Sequence, residues 1–234
     1  MALGFSKVRT IAITSGKGGV GKTNIATNLA MLFRRYKKRV LLVDLDLGLA
    51  NIDVLLGFHA EYTLHDVITG QKKIRDIILQ GPDGVMVVPA SSGIEELTNL
   101  NKEQKEQLLN GFKGLDEEVD IVIIDTGAGI SSNVVSFALA SNEILLVTTP
   151  EPTAITDAYA MIKVLSKKKN NINIKLLVNI SCSREEAELT MKKILSVSQR
   201  FLNVNIGYFG YLLHDPNVSI ATRLQKSFVK EYPN

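Results

Sequence analysis

Residues 16–23 read Gly16-Lys17-Gly18-Gly19-Val20-Gly21-Lys22-Thr23 and follow directly on the apolar run Val8–Thr14. Glycines in this pattern let backbone N–H groups crowd around a di- or triphosphate, and a helix starting here aims its positive N-terminus at the same place. Lys22 is placed to reach the β- and γ-phosphates, and the Thr23 hydroxyl to sit on Mg²⁺. The bland alternative, a glycine-rich turn that binds nothing, is disfavoured by the context of strand before and helix after. Lys17 lies too early to be the phosphate-loop lysine, so it implies a second phosphate contact.

Two acidic motifs fit this loop. Asp44-Leu45-Asp46 ends the next apolar run, and carboxylates at i and i+2 of a strand end face one side. Beside a Mg²⁺-nucleotide they would hold metal-bound water or orient an attacking water, a role that favours Asp46 over Asp44. The competing reading is a solvated turn in which Asp53 caps a helix. Asp125 follows Ile121-Val122-Ile123-Ile124, the Walker B arrangement, and would bind Mg²⁺ through water or through the Thr23 hydroxyl. Gly127 and Gly129 then allow a loop to move and its N–H groups to approach a γ-phosphate.

Other polar residues are weaker candidates. In Thr149-Pro150-Glu151-Pro152-Thr153, Pro152 starts a helix and Glu151 interacts with its N-terminus, with Asp157 in the first turn. Asn179 ends a strand, and its carboxamide suits an adenine edge as well as it suits a turn. His59, His65 and His214 lack metal-ligand spacing and read as surface or packing residues. Cys182, the only cysteine, reads as a structural thiol near the base site.

These residues need strands and helices to position them. The predicted strands are Val8–Thr14, Arg39–Val43, Val85–Pro89, Asp120–Ile124, Glu143–Thr148, Ile174–Asn179 and Gly207–Leu212. Several are apolar without alternation, which fits parallel strands buried on both faces. Helical spacing lies between them, over Thr23–Tyr36, Lys102–Leu115, Ser132–Ala140, Thr153–Ser166, Arg184–Leu202 and Asn217–Phe228. The rhythm predicts an α/β fold: a doubly wound, mostly parallel sheet flanked by helices, in one domain spanning residues 1–234. Residues 62–83 are the least legible.

Composition sets bounds. The chain has 234 residues, 45% of them hydrophobic, enough for a substantial core. A net charge of +3 gives no mandate for nucleic acid. The basic clusters Arg34, Arg35, Lys37, Lys38, Arg39 and Lys167, Lys168, Lys169 read as decoration of helix C-termini rather than a binding patch. A single cysteine forms no internal disulfide and holds no metal alone, which points to a reducing cytoplasm. Met1–Ser6 is too short for a signal peptide, and no apolar run spans a bilayer.

The motifs resemble the MinD/ParA class of P-loop ATPases that carry an extra loop lysine. Within that class, Gly48–Gly57, Asp125–Gly129 and Thr148–Tyr159 are similar to the FlhG flagellar-number regulators, also called FleN or YlxH. The resemblance covers residues 8 to about 232. It implies a homodimer with ATP sandwiched between subunits. Lys17 would cross to the partner's phosphates and be satisfied only in the dimer; Lys22 and Thr23 would bind phosphate and Mg²⁺. Asp46 would position the hydrolytic water, Asp125 would be the Walker B acid, and Asn179 with the backbone near Leu213 would hold adenine. The implied ATP-binding set is Gly16, Lys17, Gly18, Gly19, Val20, Gly21, Lys22, Thr23, Asn179 and Leu213. Slow, dimer-dependent hydrolysis and control of flagellar number or placement follow. The implied partners are the GTPase FlhF, flagellar C-ring components or a FleQ-type activator.

Two features depart from the FlhG pattern. Leu213 stands where relatives commonly have proline. An N-terminal Asp-Gln-Ala extension and a C-terminal amphipathic helix, which would bring the protein to the inner membrane face, do not occur in this sequence. The alternatives are a MinD-type division-site ATPase and a ParA-type DNA-partitioning ATPase. The balanced charge and the Thr-Gly after Asp125 count against the latter. One cysteine excludes a cluster-bearing redox ATPase.

Overall fold

The computed structural model describes residues 8–233 except 49, 92, 95, 96 and 98. Met1–Ser6, Leu49 within Gly48–Gly57, and the last residue of the 1–234 domain lie outside them. An 8-stranded sheet runs in the order β3-β4-β2-β5-β1-β6-β7-β8. The strands are β1 (Arg9–Ser15), β2 (Val40–Leu45), β3 (Leu79–Gln80), β4 (Met86–Val88), β5 (Ile121–Ala128), β6 (Glu143–Thr148), β7 (Ile174–Ser181) and β8 (Gly207–Leu213). All neighbours pair in parallel except β3 with β4.

The continuous apolar runs serve two cores. Leu41, Val43, Val122 and Ile124 face one side, while Val40, Leu42, Ile121 and Ile123 face the other. On the second side lie α1 (Lys22–Arg35), through Ala26, Ala30 and Met31, and α2 (Ile52–Leu56), through Ile52 and Leu56. The first side is covered by α3 (Leu64–Ile68), α4 (Lys102–Gly111), α5 (Ser132–Ala140), α6 (Pro152–Lys168) and α7 (Arg184–Leu202). The chain closes with α8 (Pro216–Arg223) and α9 (Phe228–Glu231).

Several boundaries differ from expectation. β5 and β7 run past Ile124 and Asn179 to Ala128 and Ser181, so Asp125 and Asn179 stand inside strands. The Thr126 side chain sustains the first extension by bonding Ile13 O at 3.1 Å and Thr14 Oγ1 at 2.9 Å on β1. The helix expected over Asn217–Phe228 is two helices. Gln225 takes φ 54 between them and donates its side-chain amide to Val54 O on α2 at 2.9 Å. The short antiparallel β3 falls in residues 62–83, the stretch with little periodicity to read.

Candidate functional site

β1 lies between β5 and β6, where the strand order reverses, the usual ligand crevice of such sheets. Residues 16–21 leave its carboxyl end and α1 begins at Lys22, the predicted strand–loop–helix order. Gly19 and Gly21 take φ 76 and 93. At Gly21 a side chain is excluded twice, by that backbone and by Asn179 Nδ2, which would lie 2.5 Å from a Cβ.

Asn179 touches the loop itself: its Nδ2 donates to Val20 O at 2.8 Å. Half of its amide therefore anchors the phosphate loop rather than waiting for a base. Leu213 ends β8 beside Ser181, half exposed, and lines neither cleft at the loop. Its neighbour His214 donates N–H to Ser181 O at 2.9 Å, and Asp215 caps α8 by accepting from Asn217 N at 2.8 Å.

A cleft of about 640 Å³ gathers Gly18, Gly19, Lys22, Thr23, Asp46 and Gly127. Asp125, two residues before Gly127, is 2% exposed and sits opposite Asp44 in the sheet register. Burial pushes its carboxyl up to about 7, against the Thr23 hydrogen bond and the Lys22 charge; Asp46 pushes the same way as burial. Lys22 is also buried, which lowers its pKa, while Asp125 and Asp46 oppose the shift. Asp125 Oδ1 is buried without a hydrogen-bond partner. A buried carboxylate oxygen beside a threonine hydroxyl is an oxygen donor set suited to Mg²⁺, so these residues fit that ion. A Cβ at Gly127 would lie 3.2 Å from Asp46 Oδ1, so the loop after Asp125 passes close to Asp46.

Asp44 does something else. Its oxygens accept Asp46 N at 3.0 Å, Asn51 N at 3.1 Å and Ile52 N at 3.2 Å, folding the turn that leads into α2. Burial and Asp125 hold its carboxyl well above the ordinary range. Asp53 is not the helix cap, which is Asn51; Asp53 Oδ1 accepts Val54 N at 2.8 Å.

On the other side of the loop, a cleft of about 510 Å³ opens between Lys17, Glu151, Ile180 and Cys182. Lys17 is paired within its own chain: Nζ binds the Glu151 carboxylate and donates to Thr153 Oγ1 at 2.9 Å. This corrects the expectation that Lys17 is satisfied only in a dimer. Pro152 does start α6, but Glu151 turns to Lys17 and makes no side-chain cap. No acidic residue occupies the first turn of α6, so Asp157 lies beyond it. Ile180 adopts φ 58, an uncommon conformation for a β-branched residue, at the lip of this cleft. Cys182 is exposed rather than packed. His59 and His214 are exposed, and among the described residues no three His, Cys, Asp or Glu could hold a metal ion.

The pairing of Lys17 with Glu151 and the loop-folding role of Asp44 were missed from sequence. Lys17 and Glu151 lie 134 residues apart, so only the register of β1 beside β6 reveals them. For Asp44 a signal existed: three backbone donors of a short turn lie within eight residues of it.

A family model described as an AAA domain matches residues 8–178. The chain is 43% identical over 226 residues to the antiactivator FleN of Pseudomonas aeruginosa, covering 97% of this chain and 81% of FleN. It is 35% identical over 227 residues to the flagellum site-determining protein YlxH of Helicobacter pylori, covering 96% of this chain and 76% of that protein. Among solved structures, the septum site-determining protein MinD of Pyrococcus horikoshii, complexed with Mg-ADP, superposes with a TM-score of 0.80 at 28% identity, covering 97% and 90% of the two chains.

Proposed function

The chain belongs to the AAA-domain family of MinD/ParA-class ATPases, together with FleN and YlxH, and from that premise we propose that it is an ATP-driven dimerisation switch regulating flagellar number and placement. The observation that carries the switch is that Lys22, Thr23 and Asp46 line one cleft with Asp125 bonded to Thr23 beside them, while Lys17 lines the second cleft across the loop. Homology to FleN and YlxH supports the flagellar role. Identity to FleN, 43% over 97% of this chain, exceeds the 32–36% of the MinD sequences, which ranks division-site placement second.

In this reading the loop N–H groups and Lys22 bind the β- and γ-phosphates of ATP. Thr23 and Asp125 hold Mg²⁺, which when bound neutralises charge on the phosphate oxygens. Asp46 orients the attacking water. Asn179 holds the loop in shape through Val20 and presents its remaining amide oxygen towards the base, with Leu213 at the neighbouring strand end. Lys17 exchanges its bond to Glu151 for the phosphates of the partner subunit. That exchange sets the balance: the dimer forms only if phosphate outcompetes a carboxylate already in place. Hydrolysis removes the γ-phosphate and returns Lys17 to Glu151. FlhF, C-ring components or a FleQ-type activator are the clients this reading allows.

Counting flagella by electron microscopy in the native bacterium tests the role. Deleting the gene changes flagellar number; wild-type protein restores it and Lys22→Ala does not. Unaltered flagella after deletion, or full rescue by Lys22→Ala, would contradict it.

A further inference from the structure

A second concave surface lies apart from the nucleotide cleft. A groove of about 510 Å³ runs between α4, α5 and the C-terminal end of α6, lined by Lys102, Lys105, Ser136, Leu139, Lys168 and Lys169. Every charged residue lining it is a lysine. Lys105 is half-buried; its Nζ donates to Ser132 Oγ at 2.5 Å, and burial and the Lys168 charge both lower its pKa. Lys102 has Glu106 of its own helix at 3.9 Å, and among the described residues no ion pair involves Lys105, Lys168 or Lys169.

Helix dipoles account for only half of this charge. Lys168 is in the last turn of α6, where a cation is favoured. Lys102 and Lys105 stand in the opening turns of α4, where the dipole disfavours one. Like charges from two helices thus converge on a groove with no carboxylate among its lining residues, and the Glu106 contact to Lys102 leaves the other three lysines without an ion pair among the described residues. The groove floor is mixed: Ser136 offers a hydroxyl and Leu139 an apolar surface. A nucleic-acid backbone offers phosphate but nothing for Leu139. An acidic peptide offers both carboxylates and an apolar side chain.

We propose that this groove is a docking site for an acidic segment of a partner protein, its carboxylates paired with Lys105 and Lys168 around an apolar residue seated on Leu139. The site also reaches the nucleotide cleft. Lys105 holds Ser132, whose neighbours Ser131, Asn133 and Val134 line that cleft. One helix, α5, therefore faces the partner on its outer side and the nucleotide at its N-terminus.

The test is fluorescence anisotropy of the whole protein with a fluorescein-labelled peptide of repeated Glu-Glu-Leu. Lys105→Ala/Lys168→Ala weakens binding about tenfold. Lys192→Ala/Lys193→Ala, which removes the same charge from an exposed stretch of α7, changes it by less than about twofold. Lys105→Arg/Lys168→Arg retains binding, and an unchanged melting temperature shows that the alanine variant is folded. Equal loss in both alanine pairs, or no loss in the groove pair, would overturn the proposal. So would a labelled oligothymidine that binds through Lys105 and Lys168 more tightly than the peptide.

Discussion

Asp125 is held in a state the free side chain would not choose. Its carboxyl is raised from 3.8 to about 7 because burial outweighs Thr23 and Lys22. A raised acid favours the protonated form in the folded protein, so its cost to stability begins above pH 3.8, grows with pH and is complete above about 7. Asp125→Asn therefore raises the melting temperature of the nucleotide-free protein at pH 8, and the gain fades towards pH 4. Scanning fluorimetry across this range checks it, and a gain independent of pH would contradict the assignment. Glu151→Gln weakens the hold on Lys17, so it lowers the ATP concentration needed for dimerisation; titration by light scattering reads this directly. At this scale the sequence was legible where a local motif sets placement: Lys22, Thr23 and Asp125 come together as their motifs suggested. It was illegible where function needed a distant partner, as at Lys17 with Glu151 and Asn179 with Val20.

Among the elements, the sheet is tied at its amino-terminal edge by Glu143 on β6, which accepts from Arg9 on β1 at 2.5 Å and from Lys175 on β7 at 2.9 Å. These bonds pull the Glu143 carboxyl down to about 2 against partial burial. A depressed acid stabilises above its unfolded value of 4.5, and that contribution is lost as pH falls towards 2. Glu143→Gln accordingly costs about 1 kcal/mol at pH 7, and urea melts of variant and wild type converge as pH drops towards 2. The central strands were readable because parallel strands buried on both faces are apolar throughout, as in Val40–Val43 and Ile121–Ile124. Their true ends were not, since Thr126 extends β5 through bonds to β1. The break between α8 and α9 was hidden too, because Gln225 is turned by its bond to α2.

For the whole molecule, the layered α/β architecture followed from the alternation of apolar runs and helical stretches, and the flagellar assignment from resemblance rather than from physics. The acidic-peptide groove was invisible in sequence because its lysines come from two helices more than sixty residues apart. Dimerisation is the claim on which the functional account turns. If Lys17 acts on the partner's nucleotide as proposed, Lys17→Ala binds ATP with near-wild-type affinity yet loses most of its turnover; a phosphate-release assay at saturating protein reads this. The most direct test is size-exclusion chromatography with light scattering on Asp46→Ala, in ATP and Mg²⁺ and again in ADP. The account predicts a stable dimer with ATP and a monomer with ADP, and a monomer in both would contradict it.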